Sequence, residues 1–169
     1  NGSNDYTFAQ VISGSGSLIK SNSNTLILSA TNTYTGDTTV SSGTLNISGQ
    51  LGSGTYAGDI SNSGTLNYSS NSDQTLSGVI SGTGTLTQSG SGTLTLSGTN
   101  TYSGTTTISA GTLLITGKLG SGSYLAAISN SGILSYSSSS NQGLSGIISG
   151  TGSVVKSGTG TLTLSAMNT

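Results

Sequence analysis

Apolar and polar residues alternate in short bursts along this chain. Thr93-Leu94-Thr95-Leu96 and Thr161-Leu162-Thr163-Leu164 place every second side chain on one face, the period-two pattern of a half-buried strand. Stretches rich in Ser and Gly bound the bursts, so the predicted elements are short strands joined by tight turns. Thr, Val, Ile and Tyr suit strands. The helix formers Ala, Glu, Lys and Gln are scarce.

The bursts also align with one another. The aliphatic residue before each Ser-x-Gly or Ser-x-x-Gly turn falls at Ile12, Val40, Ile60, Ile80, Ile108, Ile128 and Ile148, at spacings of 28, 20, 20, 28, 20 and 20 residues. The aliphatic residue after the turn falls at Leu18, Leu45, Leu66, Leu86, Leu113, Leu134 and Val154, with the rhythm 27, 21, 20, 27, 21, 20. Between them stands a glycine each time: Gly16, Gly43, Gly64, Gly84, Gly111, Gly132 and Gly152. A sharp corner needing positive φ accounts for that column. A less regular third column runs through Phe8, Leu28, Leu51, Leu76, Leu96, Leu119, Leu144 and Leu164.

These rhythms sit inside a larger repeat. Residues 14–81 return as 82–149 at an offset of 82 − 14 = 68, without insertion or deletion, and 43 of the 68 positions are identical. A partial third unit covers 150–169, and 1–13 reads as the tail of a preceding unit. Fixed-period repetition is the mark of a stacked array whose units touch only their neighbours. The expectation is all-β: a single right-handed parallel β-helix over 1–169, with about three coils per 68-residue unit, one long and two short. The hand follows the rule for parallel crossovers. On this reading the additional residues of each long coil, Ser23 to Ala30 and Ser91 to Gly98, form an extra strand or a protruding arm.

Composition narrows the chemistry. Lys and Arg number 3 and Asp and Glu number 4, a net charge of −1. Charged residues make up 4%, against roughly 25% in ordinary soluble domains. Three lysines build no nucleic-acid surface. There is no His, Cys, Arg, Glu, Pro or Trp, so a Ser-His-Asp triad, a thiolate metal site and a disulfide framework are all ruled out. Asp37 and Asp59 fall in neighbouring coils. Asp5 and Asp73 occupy equivalent positions about three rungs, or ~14 Å, apart, too far for a pair of glycosidase carboxylates. No residue is assigned a catalytic, cofactor-binding or metal-binding role, and no cofactor is expected; the chain reads as a non-enzyme. Two surface features stand as binding candidates. Thr-x-Thr segments at 93–95, 105–107 and 161–163 would order water on a flat face, the alternative of an ice-binding module. Tyrosines recurring as Tyr34 with Tyr102, Tyr56 with Tyr124 and Tyr68 with Tyr136 would contact glycan or protein if exposed.

The tract from Gly92 to Leu113, with variants from Asn24 to Leu45 and from Gly160 onward, resembles the passenger-associated repeat of bacterial autotransporters. The resemblance implies an extracellular β-helical passenger at the bacterial surface, outer-membrane-anchored or secreted, acting as stalk, adhesin or filament scaffold. Its partners would be other copies, end to end or side by side, or surface glycans and proteins. Membrane contact would run only through a barrel domain outside this chain. The start at Asn1 shows no signal peptide, no apolar run is long enough to span a membrane, and neither end carries a distinct cap. The expectation is therefore a processed or excerpted segment of a longer protein.

Overall fold

A computed structural model describes residues 4–169; residues 1–3, the start of the stretch read as a preceding unit's tail, lie outside the described residues. The alternating bursts become short parallel strands, and the strands build three faces. On the first face Tyr6–Phe8, Thr25–Leu28, Thr44–Ile47, Thr65–Tyr68, Thr85–Gln88, Thr106–Ile108, Ile128–Asn130 and Ile148–Ser149 stack in order. On the second, Thr31–Asn32 and Gln50–Leu51 lead into Thr55–Tyr56, Gln74–Leu76, Thr93–Leu96, Thr112–Ile115, Ile133–Tyr136 and Ser153–Lys156. The third holds Leu18–Lys20, Thr38–Val40, Ile60–Asn62 and Ile80–Ser81, then resumes as Ser123–Tyr124, Gln142–Leu144 and Leu162–Leu164. The result is a parallel β-helix of eight turns. Seven steps of about 4.8 Å make a rod of about 34 Å.

The register corrects the expected coil. Successive partners on the first face are Tyr6, Leu26, Leu45, Leu66, Leu86, Thr106, Ile128 and Ile148. Coil lengths are therefore 20, 19, 21, 20, 20, 22 and 20 residues, and none is 28. Thr25–Leu28 and Thr93–Leu96 are ordinary rungs of the first and second faces, not an arm. The spacing of 28 is one coil plus one side of the triangle. From Leu18–Lys20 to its equivalent Thr85–Gln88 the chain passes ten sides, which is three and one third turns. Each 68-residue unit therefore advances by one face: Leu18–Lys20 lies on the third, Thr85–Gln88 on the first and Ser153–Lys156 on the second. The aliphatic columns follow that drift. Leu45, Leu66 and Leu86 stack on the first face, then Leu113, Leu134 and Val154 on the second.

Two partner spacings reach 22 residues, Thr38 to Ile60 on the third face and Thr106 to Ile128 on the first, and each spans a 3-10 turn, Gly52–Gly54 and Gly120–Gly122. The exposed Ser53 and Ser121 sit there at φ 52° and 55°. The corner glycines divide by cause. Gly43 and Gly111 do take positive φ, 68° and 62°. Gly84 does not; it is needed because a Cβ would fall 2.4 Å from the Gly64 carbonyl of the rung beneath. Inward-facing Leu, Ile, Val and Tyr fill the interior, most at 0–2% exposure, and each fully buried aliphatic side chain contributes about 1.5–3 kcal/mol.

Candidate functional site

Wherever the backbone ladder is interrupted, a side-chain amide stands in for it. Between Gln50–Leu51 and Thr55–Tyr56 the 3-10 turn breaks the second face. There Gln74 Oε1 accepts the Leu51 N–H at 2.8 Å and Gln74 Nε2 donates to the Leu51 carbonyl at 3.0 Å. Gln142 repeats both bonds with Leu119 at 2.8 and 3.0 Å. Asn32, Asn100 and Asn168 accept the N–H groups of Ile12, Ile80 and Ile148 at 2.9, 2.9 and 2.7 Å. Gln74, Gln142, Asn32 and Asn100 are buried and satisfied, as buried groups must be; Asn168 is exposed. Their work is structural.

The tyrosines are inside, which overturns an exposed aromatic row. Tyr34, Tyr56, Tyr68, Tyr102, Tyr124 and Tyr136 are all 1% exposed; Tyr6, at 61%, stands in the inward column of the first described rung. The reason is a buried hydroxyl that aliphatic patterning does not flag. Thr38 Oγ1 lies 2.8 Å from both the Tyr34 and Tyr56 hydroxyls, and Tyr56 donates onward to the Gly36 carbonyl. Thr106 joins Tyr102 and Tyr124 in the same way, again at 2.8 Å. The rings of each pair stand 5.4 Å apart. Burial raises the phenol pKa of Tyr34, Tyr56, Tyr68, Tyr102 and Tyr124 above the ordinary value.

The acids cap corners. Asp5 accepts the Thr25 N–H and Asp73 the Thr93 N–H, each at 2.8 Å; at the equivalent position Asn141 accepts the Thr161 N–H at 2.9 Å. An uncharged residue therefore serves as well. Asp37 accepts the Asp59 N–H and Asp59 the Val79 N–H, at 2.9 and 2.8 Å, so this pair does occupy neighbouring rungs. Asp5 and Asp73 lie at corners of different faces. No group of three His, Cys, Asp or Glu side chains gathers among the described residues. Lys20 buries its ammonium against the Asn22 and Ser42 carbonyls and Asn22 Oδ1. Gln88 takes that position in the next unit; its Nε2 donates to the Gly90 and Gly92 carbonyls at 3.0 and 2.8 Å, and its Oε1 is buried without a partner.

The three Thr-x-Thr segments share no face. Residues 93–95 lie on the second, 105–107 on the first and 161–163 on the third. Thr106 also turns inward. A different alignment emerges on the first face. Thr25, Thr44, Thr65 and Thr85 are consecutive partners, and Thr105 continues the rank one residue before Thr106, the partner of Leu86. Two residues along stand Ile27, Asn46, Asn67, Thr87 and Thr107. Two further on are Ser29, Ser48, Ser69, Ser89 and Ser109, each giving its N–H to the rung beneath. Reading the spacing of 28 as one coil hides this rank.

The passenger-associated-transport-repeat family model matches at residues 18–47, 86–115 and 154–169. The chain matches this passenger repeat at three points, the last of them partial. Each match begins at the same point of the 68-residue unit, so the family repeat spans strands on successive faces and the passenger-like β-helix is built by its recurrence. Neither the curated proteins nor the solved structures provide a match.

Proposed function

We propose that this chain is a rigid spacer within a secreted or cell-surface passenger, holding other parts of its protein away from the cell as a stalk or adhesin scaffold. One observation carries the reading: a parallel ladder, continuous over eight strands on the first face and bridged by side-chain amides at the turns that interrupt the others, in which most polar interior groups and every acid join one rung to the next. Repetition lengthens such a rod without altering its cross-section. Each 68-residue unit adds about 16 Å, three and one third rungs at ~4.8 Å.

Two measurements test it. Small-angle X-ray scattering on chains with one and two additional units inserted should show length rising by that increment at constant cross-section. Antibody raised against the folded chain should label intact producing cells or their medium. Compaction with added units, or labelling only after lysis, contradicts the reading.

A further inference from the structure

The first face carries an ordered hydroxyl surface that the spacer reading does not require. Its three outward ranks over five rungs, from Thr25–Leu28 to Thr106–Ile108, hold Thr, Asn and Ser at every position but Ile27. Neighbouring positions repeat at about 4.8 Å across the strands and about 6.7 Å along them, giving a patch of about 19 by 13 Å. No charged residue and no aromatic residue stands in these ranks.

The side chains are held in place. Thr85 Oγ1 donates to Thr65 Oγ1 at 3.1 Å and Asn67 Nδ2 to Asn46 Oδ1 at 3.1 Å. Ser69 and Ser89 donate to Asn46 and Asn67 at 2.7 and 2.9 Å. β-Branched threonine is stiff at χ1 besides. The other faces lack this regularity. On the second, Leu114 and Val155 interrupt the rank begun by Thr75 and Thr95. The third is broken by the turn at Gly120–Gly122.

We propose that the first face binds the surface of crystalline ice through its Thr and Asn ranks. A pre-ordered lattice of hydroxyls and amides loses little side-chain freedom when it fixes water, so the immobilised water is held at small cost. The oxygen repeats of hexagonal ice fall close to both spacings of the patch. A protein partner would call for an apolar centre or charge complementarity, and a sugar for an exposed aromatic platform; the ranks offer neither. This inference stands apart from the spacer reading, since a rod needs no particular face.

The test uses the whole chain, fluorescently labelled, on a growing ice hemisphere, with a recrystallisation assay in parallel. The unaltered chain should coat the ice and slow recrystallisation. Thr65→Lys and Asn67→Lys, each placing a strongly hydrated ammonium in the patch, should weaken both readouts by about tenfold or more, the usual consequence of spoiling a central contact. Thr95→Lys on the second face should match the unaltered chain, and circular dichroism should show all three folded. If one first-face variant does not fold, the other carries the test. Bare ice, equal loss in Thr95→Lys, or adsorption to crystalline chitin or cellulose with none to ice overturns the proposal.

Discussion

Gln74 pairs with Leu51 as a strand would, accepting its N–H at 2.8 Å and donating to its carbonyl at 3.0 Å. One side-chain amide bridges the gap that the 3-10 turn leaves in the second face. Gln74→Leu keeps the volume and removes both bonds. It strands a buried N–H and a buried carbonyl, each worth about 1–3 kcal/mol. Urea denaturation should show a loss of about 2–4 kcal/mol, and Gln142→Leu should cost about the same. A loss well under 1 kcal/mol would mean that water replaces the amide.

The buried tyrosines set an alkaline limit. The unfolded chain begins to lose phenol protons near pH 10, while burial holds the native values higher. Unfolded chains therefore bind fewer protons in that window. The stability these groups contribute is full below about pH 10 and falls as pH rises toward the native values. Tyrosinate absorbance from these buried phenols should appear together with loss of β-sheet dichroism, in one cooperative step. Smooth titration at ordinary values with the fold intact would contradict the buried placement.

Much of this architecture was legible beforehand, and what was not has a physical cause. Strands such as Thr93–Leu96 showed in their alternation because one face is buried and the other wet. The aliphatic columns were visible because the interior must be apolar on every rung. The face each residue occupies was not visible. A spacing of 28 between Ile80 and Ile108 fits a long coil as well as a coil plus one side, and only register separates them. The burial of the tyrosines is not legible because their hydroxyls are met by Thr38 and Thr106, which look like surface threonines in a chain full of them, or by the Ser72 and Ser140 carbonyls, which no side-chain pattern marks. Gln74 and Asn32 were missed for the same reason. The hydroxyl ranks of the first face followed once register was known.

Two glycines inside the stack separate the close-approach account from a conformational one. A Cβ on Gly84 would meet the Gly64 carbonyl at 2.4 Å, whereas on Gly143 its nearest neighbour would be the Gly122 carbonyl at 3.8 Å, and neither residue has positive φ. Gly84→Ala should cost about 1–3 kcal/mol through overpacking. Gly143→Ala should be neutral or slightly stabilising through the unfolded state. Equal effects in thermal melts would refute the distinction.

Whether each unit advances three and one third turns is settled most directly by a pair of cysteines. The chain has none of its own. Thr87 and Thr107 are Cα partners on adjacent rungs of the first face, about 4.8 Å apart and within the span a disulfide bridges. Val79 would lie beneath Thr107 instead if the spacing of 28 were one coil. Mild oxidation should close a disulfide in Thr87→Cys/Thr107→Cys and leave Val79→Cys/Thr107→Cys reduced, read by mass spectrometry of the folded chain. The reverse outcome, with the 79–107 pair closing and the 87–107 pair open, would contradict the account.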